Sequence, residues 1–207
     1  MQRPSALLQT DTPVRIESRA LGTLAFIRAS IESAGSMDVP GMAGIVMGLV
    51  GLLASILVAT PRLAPHWLGI WLSAAAVALL FGGILVARQV ALQGRPGFLG
   101  PVRRFVLCLC PALGAGAVLT GVLWDAGAIG VIPGAWLLLY GCAVISASTV
   151  INAAVSRLVS IMGALFVILG CAAFALPAIA HTAMLGLGFG GLHLLFGLLI
   201  GRHSHGR

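Results

Sequence analysis

Residues 186–201 read GLGFGGLHLLFGLLIG, an apolar stretch with six glycines and a single polar side chain, that of His193. The stretch belongs to an apolar run of about 20 residues, 182–201, and such a run can cross the roughly 30 Å hydrocarbon core of a bilayer. Lipid offers no hydrogen bonds, so every backbone polar group inside it must be paired within the chain. We therefore expect residues 182–201 to form a transmembrane helix.

Five similar apolar runs precede this one, at about 41–60, 67–87, 105–124, 129–148 and 158–180. The composition also indicates a membrane protein, because 59% of the 207 residues are hydrophobic and only 8% are charged. Soluble domains have roughly a quarter of their residues charged. The sequence predicts an all-α polytopic membrane protein with six transmembrane helices.

The arginines predict how the helices are oriented, because cytoplasmic loops are enriched in Lys and Arg. Eleven of the twelve arginines fall on one side of the predicted spans, and only Arg62 falls on the other. Both termini are therefore expected in the cytoplasm. Short outer connections predict three hairpins. The expected regions are a cytoplasmic N-terminal segment (1–39), a transmembrane domain (40–201) and a cytoplasmic tail (202–207).

The N-terminal segment contains a predicted amphipathic helix over residues 13–34. Its apolar side chains recur every three or four residues and so share one face; they are Ile16, Ala20, Leu24, Ile27 and Ile31. Two interpretations remain open. The helix lies on the inner membrane surface, or it is a docking helix for a second copy of the chain or a cytoplasmic protein.

The sixth span has a small-residue face formed by Gly186, Gly190, Gly197 and Gly201, with His193 on the same face. Small residues at such spacing let helix backbones approach closely in lipid. The glycines therefore predict a groove for a neighbouring helix, with His193 inside it. Tyr140 lies at a matching depth in the fourth span, so we expect a Tyr140–His193 hydrogen bond.

The buried histidine has a structural and a functional interpretation. As a packing residue it needs only its partner; as a functional residue it binds a ligand, a proton or haem. A membrane haem usually takes two axial ligands at matched depth, and His193 is the only mid-depth histidine. We therefore expect no cofactor and no metal site, and we interpret metal binding at His203 and His205 as adventitious.

Other patterns exclude several classes of function. No span core contains Asp, Glu or Arg, and no catalytic motif occurs, so we expect the protein not to be an enzyme. The arginines form no stripe with aromatic residues, which argues against nucleic acid and favours anionic lipid. The four cysteines lack CxxC spacing and are interpreted as small core residues.

A weak internal repeat runs through the spans. LLFG occurs at 79–82, LLYG at 138–141 and LLFG at 194–197, each in the second helix of a predicted hairpin. The first and third hairpins also match at a constant offset. These matches raise the hypothesis of three parallel hairpin repeats, a mode of construction known among transporters.

Three stretches together resemble a family of uncharacterised bacterial six-helix integral membrane proteins: RASIESAGSMDVPGMAGIVMG (28–48), AWLLLYGCAVISA (135–147) and GFGGLHLLFGLLIGRHSHG (188–206). The resemblance implies a bacterial inner-membrane protein with the six-helix fold and an N-terminal amphipathic helix. It implies no catalytic residue, cofactor or substrate. It favours a regulatory or partner-binding role. The expectation is therefore a non-enzymatic, partner-binding membrane protein, and the alternative is a carrier or channel for a small neutral or lipophilic solute.

Overall fold

The computed structural model describes residues 21–24, 39–93 and 99–205. The chain divides into two units, Met1–Gly35 and Ser36–Arg207. In the first unit, the described residues 21–24 are helical and exposed. Leu24 of the predicted apolar face is among them, whereas Ile16, Ile27 and Ile31 lie outside the described residues.

The second unit consists of helices joined by short connections. Five are regular α-helices, which we number α1 (Gly41–Ala59), α2 (Trp67–Gln93), α3 (Leu99–Asp125), α4 (Ile132–Ser148) and α5 (Ala153–Ala175). The sixth, α6, runs from His181 to His205 and changes its winding on the way. It is α-helical over His181–Leu185, π-helical over Gly186–Leu192 and α-helical again over His193–His205.

All six helices are long and apolar enough to cross a membrane. The fifth differs from the predicted span 158–180, because it begins at Ala153 and ends at Ala175. Asn152 begins it by accepting a hydrogen bond from the backbone of Ala154. Pro177 ends it, since the residue before a proline is driven into extended backbone and Leu176 has ψ 152°.

Four helices form the interior of the bundle and two lie outside. α1, α4, α5 and α6 contain most of the buried residues, whereas α3 packs mainly on α4 and α2 mainly on α1. α6 makes its most extensive contacts with α1, and α5 with α4. The equivalence of three hairpins stays a prediction.

The outward faces of the helices are apolar, which is suited to contact with lipid acyl chains. They include three of the four cysteines: Cys110, Cys142 and Cys171 are exposed and Cys108 is partly exposed. The prediction that the cysteines are core residues was wrong. Lipid is as apolar as a membrane-protein interior, so an apolar side chain in a span does not reveal which side it faces.

Candidate functional site

The interior is built from two helix pairs in backbone contact. In the first pair, α1 and α6 run antiparallel with glycines facing each other. A Cβ placed on Gly41 would lie 2.6 Å from Gly197 O, and one on Gly48 would lie 2.6 Å from Leu194 N. Since real Cβ atoms essentially never come that close to backbone, only glycine permits this contact.

The glycines predicted to form a groove on α6 occupy different positions along this contact. A Cβ on Gly197 would meet Ile45 N at 2.7 Å, and one on Gly190 would meet Leu52 N at 3.0 Å. A Cβ on Gly186 would collide with the Ser55 side chain. Gly201 differs, because its own Cβ would enter open space while its backbone lies against Gly41.

Sequence reasoning did not name the partner glycines on α1. Gly41, Gly44, Gly48 and Gly51 are spaced by three, four and three residues, and therefore lie on one helical face. A Cβ on any of them would come within 3 Å of α6 backbone. This spacing is the signal that could have located the face of α1 that meets α6.

A second glycine contact joins α4 to α5. A Cβ on Gly141 would lie 2.7 Å from Gly163 O, and a Cβ on Gly163 would lie 2.9 Å from Gly141 O. Two helical turns away, a Cβ on Gly170 would lie 3.0 Å from Gly134 O. The interior therefore contains two tightly closed pairs, α1 with α6 and α4 with α5.

Tyr140 and His193 link the two pairs. Tyr140 Oη on α4 lies 2.7 Å from His193 Nε2 on α6, which is a hydrogen bond between helices. His193 is only 3% exposed, and Tyr140 is partly buried. The two ring nitrogens of a neutral imidazole are one donor and one acceptor, so either partner can supply the shared proton.

Aromatic rings enclose this hydrogen bond. Phe166 lies 4.8 Å from Tyr140 and 5.4 Å from His193, measured between ring centroids. Phe189 stacks on His193 at 6.3 Å with 13° between the ring planes, and also contacts Tyr140 edge-on. Because Phe166 is fully buried, the pair is held in an apolar setting in which hydrogen bonds are strengthened.

Two buried nitrogens near these rings carry no hydrogen bond within the described part of the chain. They are His193 Nδ1 and Trp71 Nε1. Trp71 packs against Phe189, with ring centroids 6.1 Å apart.

Several further polar contacts hold helix ends. Ser148 Oγ lies 2.7 Å from Ser160 Oγ, and Ser156 Oγ donates to Ser148 O at 2.7 Å, which ties α4 to α5 at their connection. His181 Nε2 lies 3.1 Å from Ala173 O and so caps the end of α5. Groups of His, Cys, Asp or Glu suited to a metal ion do not occur among the described residues.

A cleft of about 620 Å³ opens where α1 and α5 begin and where α2 and α6 end. Met42, Ile45 and Leu198 contribute apolar walls. Its polar lining comes from Gln89, Asn152, Arg202 and His203. This cleft lies at the end of the bundle, and neither Tyr140 nor His193 lines it.

The six apolar helices define a multi-pass helical membrane protein. Comparison with known proteins gave no match, whether with protein-family models, curated proteins or solved structures.

Proposed function

We propose that the chain is a non-enzymatic membrane protein that acts by binding a partner at the cytoplasmic face of a bacterial inner membrane, in a regulatory role. The observation that carries this proposal is the distribution of polar groups. Every charged residue in the described part lies within two turns of a helix end or in a connection. The middle of the bundle is held by glycine contacts and aromatic rings.

The two ends of the bundle differ in charge. Five described arginines lie near the end where α1 begins: Arg88, Arg103, Arg104, Arg157 and Arg202. The opposite end has Arg62 and Asp125, whose charges cancel. The positive end is the one that the positive-inside rule assigns to the cytoplasm. It also carries the large cleft, so the surface available to a cytoplasmic partner is concentrated there.

The test is native mass spectrometry of the full chain extracted gently from its own membrane. We expect a stoichiometric protein partner or a defined homo-oligomer. The double variant Leu24→Asp/Ile27→Asp places two carboxylates on the predicted apolar face of the N-terminal helix and should release that partner. The control Ala25→Asp/Ala29→Asp adds the same charge away from that face, and this variant should keep the partner bound. A lone chain in all three samples would contradict the proposal.

A second function, carriage of a small neutral or lipophilic solute, is favoured by one observation. His193 Nδ1 and Trp71 Nε1 are buried near the same phenylalanine and carry no hydrogen bond among the described residues, as polar groups along a solute path would. The same mass spectra distinguish the two functions. A small molecule bound to a single chain, and lost in His193→Leu, would support the carrier.

A further inference from the structure

We propose that the cleft at the positive end of the bundle is a binding site for an anionic phospholipid, with the headgroup phosphate at Arg202 and an acyl chain along the apolar wall. This inference rests on the proposed function only for the cytoplasmic orientation of the positive end, because a lipid site is compatible with either candidate function. It rests on the shape of the cleft, its charge and its position at the end of the spans.

The cleft has an apolar part and a polar part, as a site for an amphiphilic lipid requires. Met42, Ile45 and Leu198 come from the apolar faces of α1 and α6, next to the first and last membrane turns. Arg202 and His203 follow Leu198 by about one helical turn, at the polar end of α6. An acyl chain can therefore pack on the walls while a headgroup reaches the polar end.

The electrostatics of the cleft select an anion. Arg202 is exposed and can present its planar guanidinium to two phosphate oxygens at once. The only acidic residue at described positions is Asp125, at the opposite end of the bundle. Asp38 precedes the cleft residue Val39 in sequence and lies outside the described residues.

The depth of the cleft points to lipid rather than to a free anion. Gln89 and Arg202 lie at the ends of the second and sixth apolar spans, which are the levels where a bilayer places its phosphates. The cytoplasmic leaflet also holds the anionic lipids that attract juxtamembrane arginine. A soluble anion would gain nothing from Met42, Ile45 or Leu198, whereas an acyl chain buries apolar surface against them.

The experiment measures lipid binding to the purified, delipidated full chain by native mass spectrometry. Three probes are compared: phosphatidylglycerol, phosphatidylcholine with the same acyl chains, and inorganic phosphate. We expect phosphatidylglycerol to bind roughly tenfold more tightly than phosphatidylcholine. Both lipids carry a phosphate, but the choline cation cancels the net charge of phosphatidylcholine and is repelled by Arg202. Equal binding of the two lipids would overturn the proposal, and phosphate binding as tightly as phosphatidylglycerol would overturn its lipid part.

Two variants locate the site. Arg202→Gln should reduce phosphatidylglycerol binding to the level of phosphatidylcholine, whereas Arg62→Gln removes the same charge at the opposite end and should leave the difference intact. Met42→Trp should fill the cleft beside the apolar wall and weaken both lipids, without touching the arginine. Unchanged phosphatidylglycerol binding in Arg202→Gln or in Met42→Trp would show that the lipid sits elsewhere.

Discussion

At the scale of single residues, the Tyr140–His193 hydrogen bond is the feature most open to experiment. Counting residues from the span boundaries places both side chains at one depth, and the structure holds their polar atoms 2.7 Å apart. Counting residues could not predict that Phe166 and Phe189 enclose this hydrogen bond. Phenylalanine in an apolar span carries no signal for its direction, because lipid and protein interior are equally apolar.

The strength of this hydrogen bond is measured by a double-mutant cycle with Tyr140→Phe, His193→Leu and the double variant. We expect Tyr140→Phe alone to lower the free energy of unfolding by about 1 kcal/mol, because it leaves His193 Nε2 buried without a partner. The coupling between the two positions should be roughly 0.6–2 kcal/mol, as for other hydrogen bonds between membrane helices.

Reversible unfolding in mixed micelles, followed by circular dichroism, gives these free energies. Strictly additive single substitutions would contradict the hydrogen bond. If every variant folds with little loss of stability but His193→Leu loses binding of a partner or solute, His193 serves function rather than packing.

At the scale of helices, glycine decides which pairs close. The spacing of the glycines on α6 predicted a face for close helix packing. It did not predict that α1 packs there, because a small-residue face allows close approach without specifying which helix approaches. The motif glycines Gly141 and Gly197 illustrate this limit. Gly141 meets Gly163 of α5 and Gly197 meets Ile45 of α1, so each lies against a helix outside its predicted hairpin.

Gly48→Ala tests the α1–α6 contact, since its Cβ would lie 2.6 Å from Leu194 N and 2.9 Å from Gly190 O. Backbone cannot yield as a side-chain tip can, so we expect the two helices to separate and the free energy of unfolding to fall by about 1–3 kcal/mol. The matched control is Gly83→Ala on α2, which has nothing within 4 Å of its Cβ.

The control should leave stability unchanged or raise it by up to about 1 kcal/mol, because alanine favours the helix over glycine. The same unfolding assay serves both variants. Equal effects of Gly48→Ala and Gly83→Ala would mean that α1 and α6 are not in backbone contact in the membrane.

At the scale of the whole molecule, the composition and the lengths of the apolar runs predicted how many helices cross the membrane. They did not predict how those helices are arranged. Apolar length fixes how many helices can cross a bilayer, and the six helices agree with the six predicted runs. Arrangement depends on contacts between distant segments, such as Gly41 with Gly197. No local pattern encodes those contacts, so the layering with α2 and α3 outside came only from the structure.

The orientation of the bundle is tested by labelling single cysteines in intact cells. In a background with the four native cysteines replaced by alanine, Arg62→Cys should react with a membrane-impermeant maleimide. Arg157→Cys, an exposed position at the opposite end, should react only after the membrane is permeabilised, because arginine-rich ends face the cytoplasm. Labelling in the reverse order would place both termini outside.

The contact between α1 and α6 has a consequence for how the protein is made. Gly41 leaves the ribosome about 160 residues before Gly201, and at 5–20 residues per second that interval is roughly 10–30 s. During this time α1 sits in the bilayer with its glycine face against lipid or against the insertion machinery. Assembly of the interior therefore waits for the last helix, and a ribosome that stalls before α6 leaves a membrane-inserted chain marked by an unpartnered glycine face.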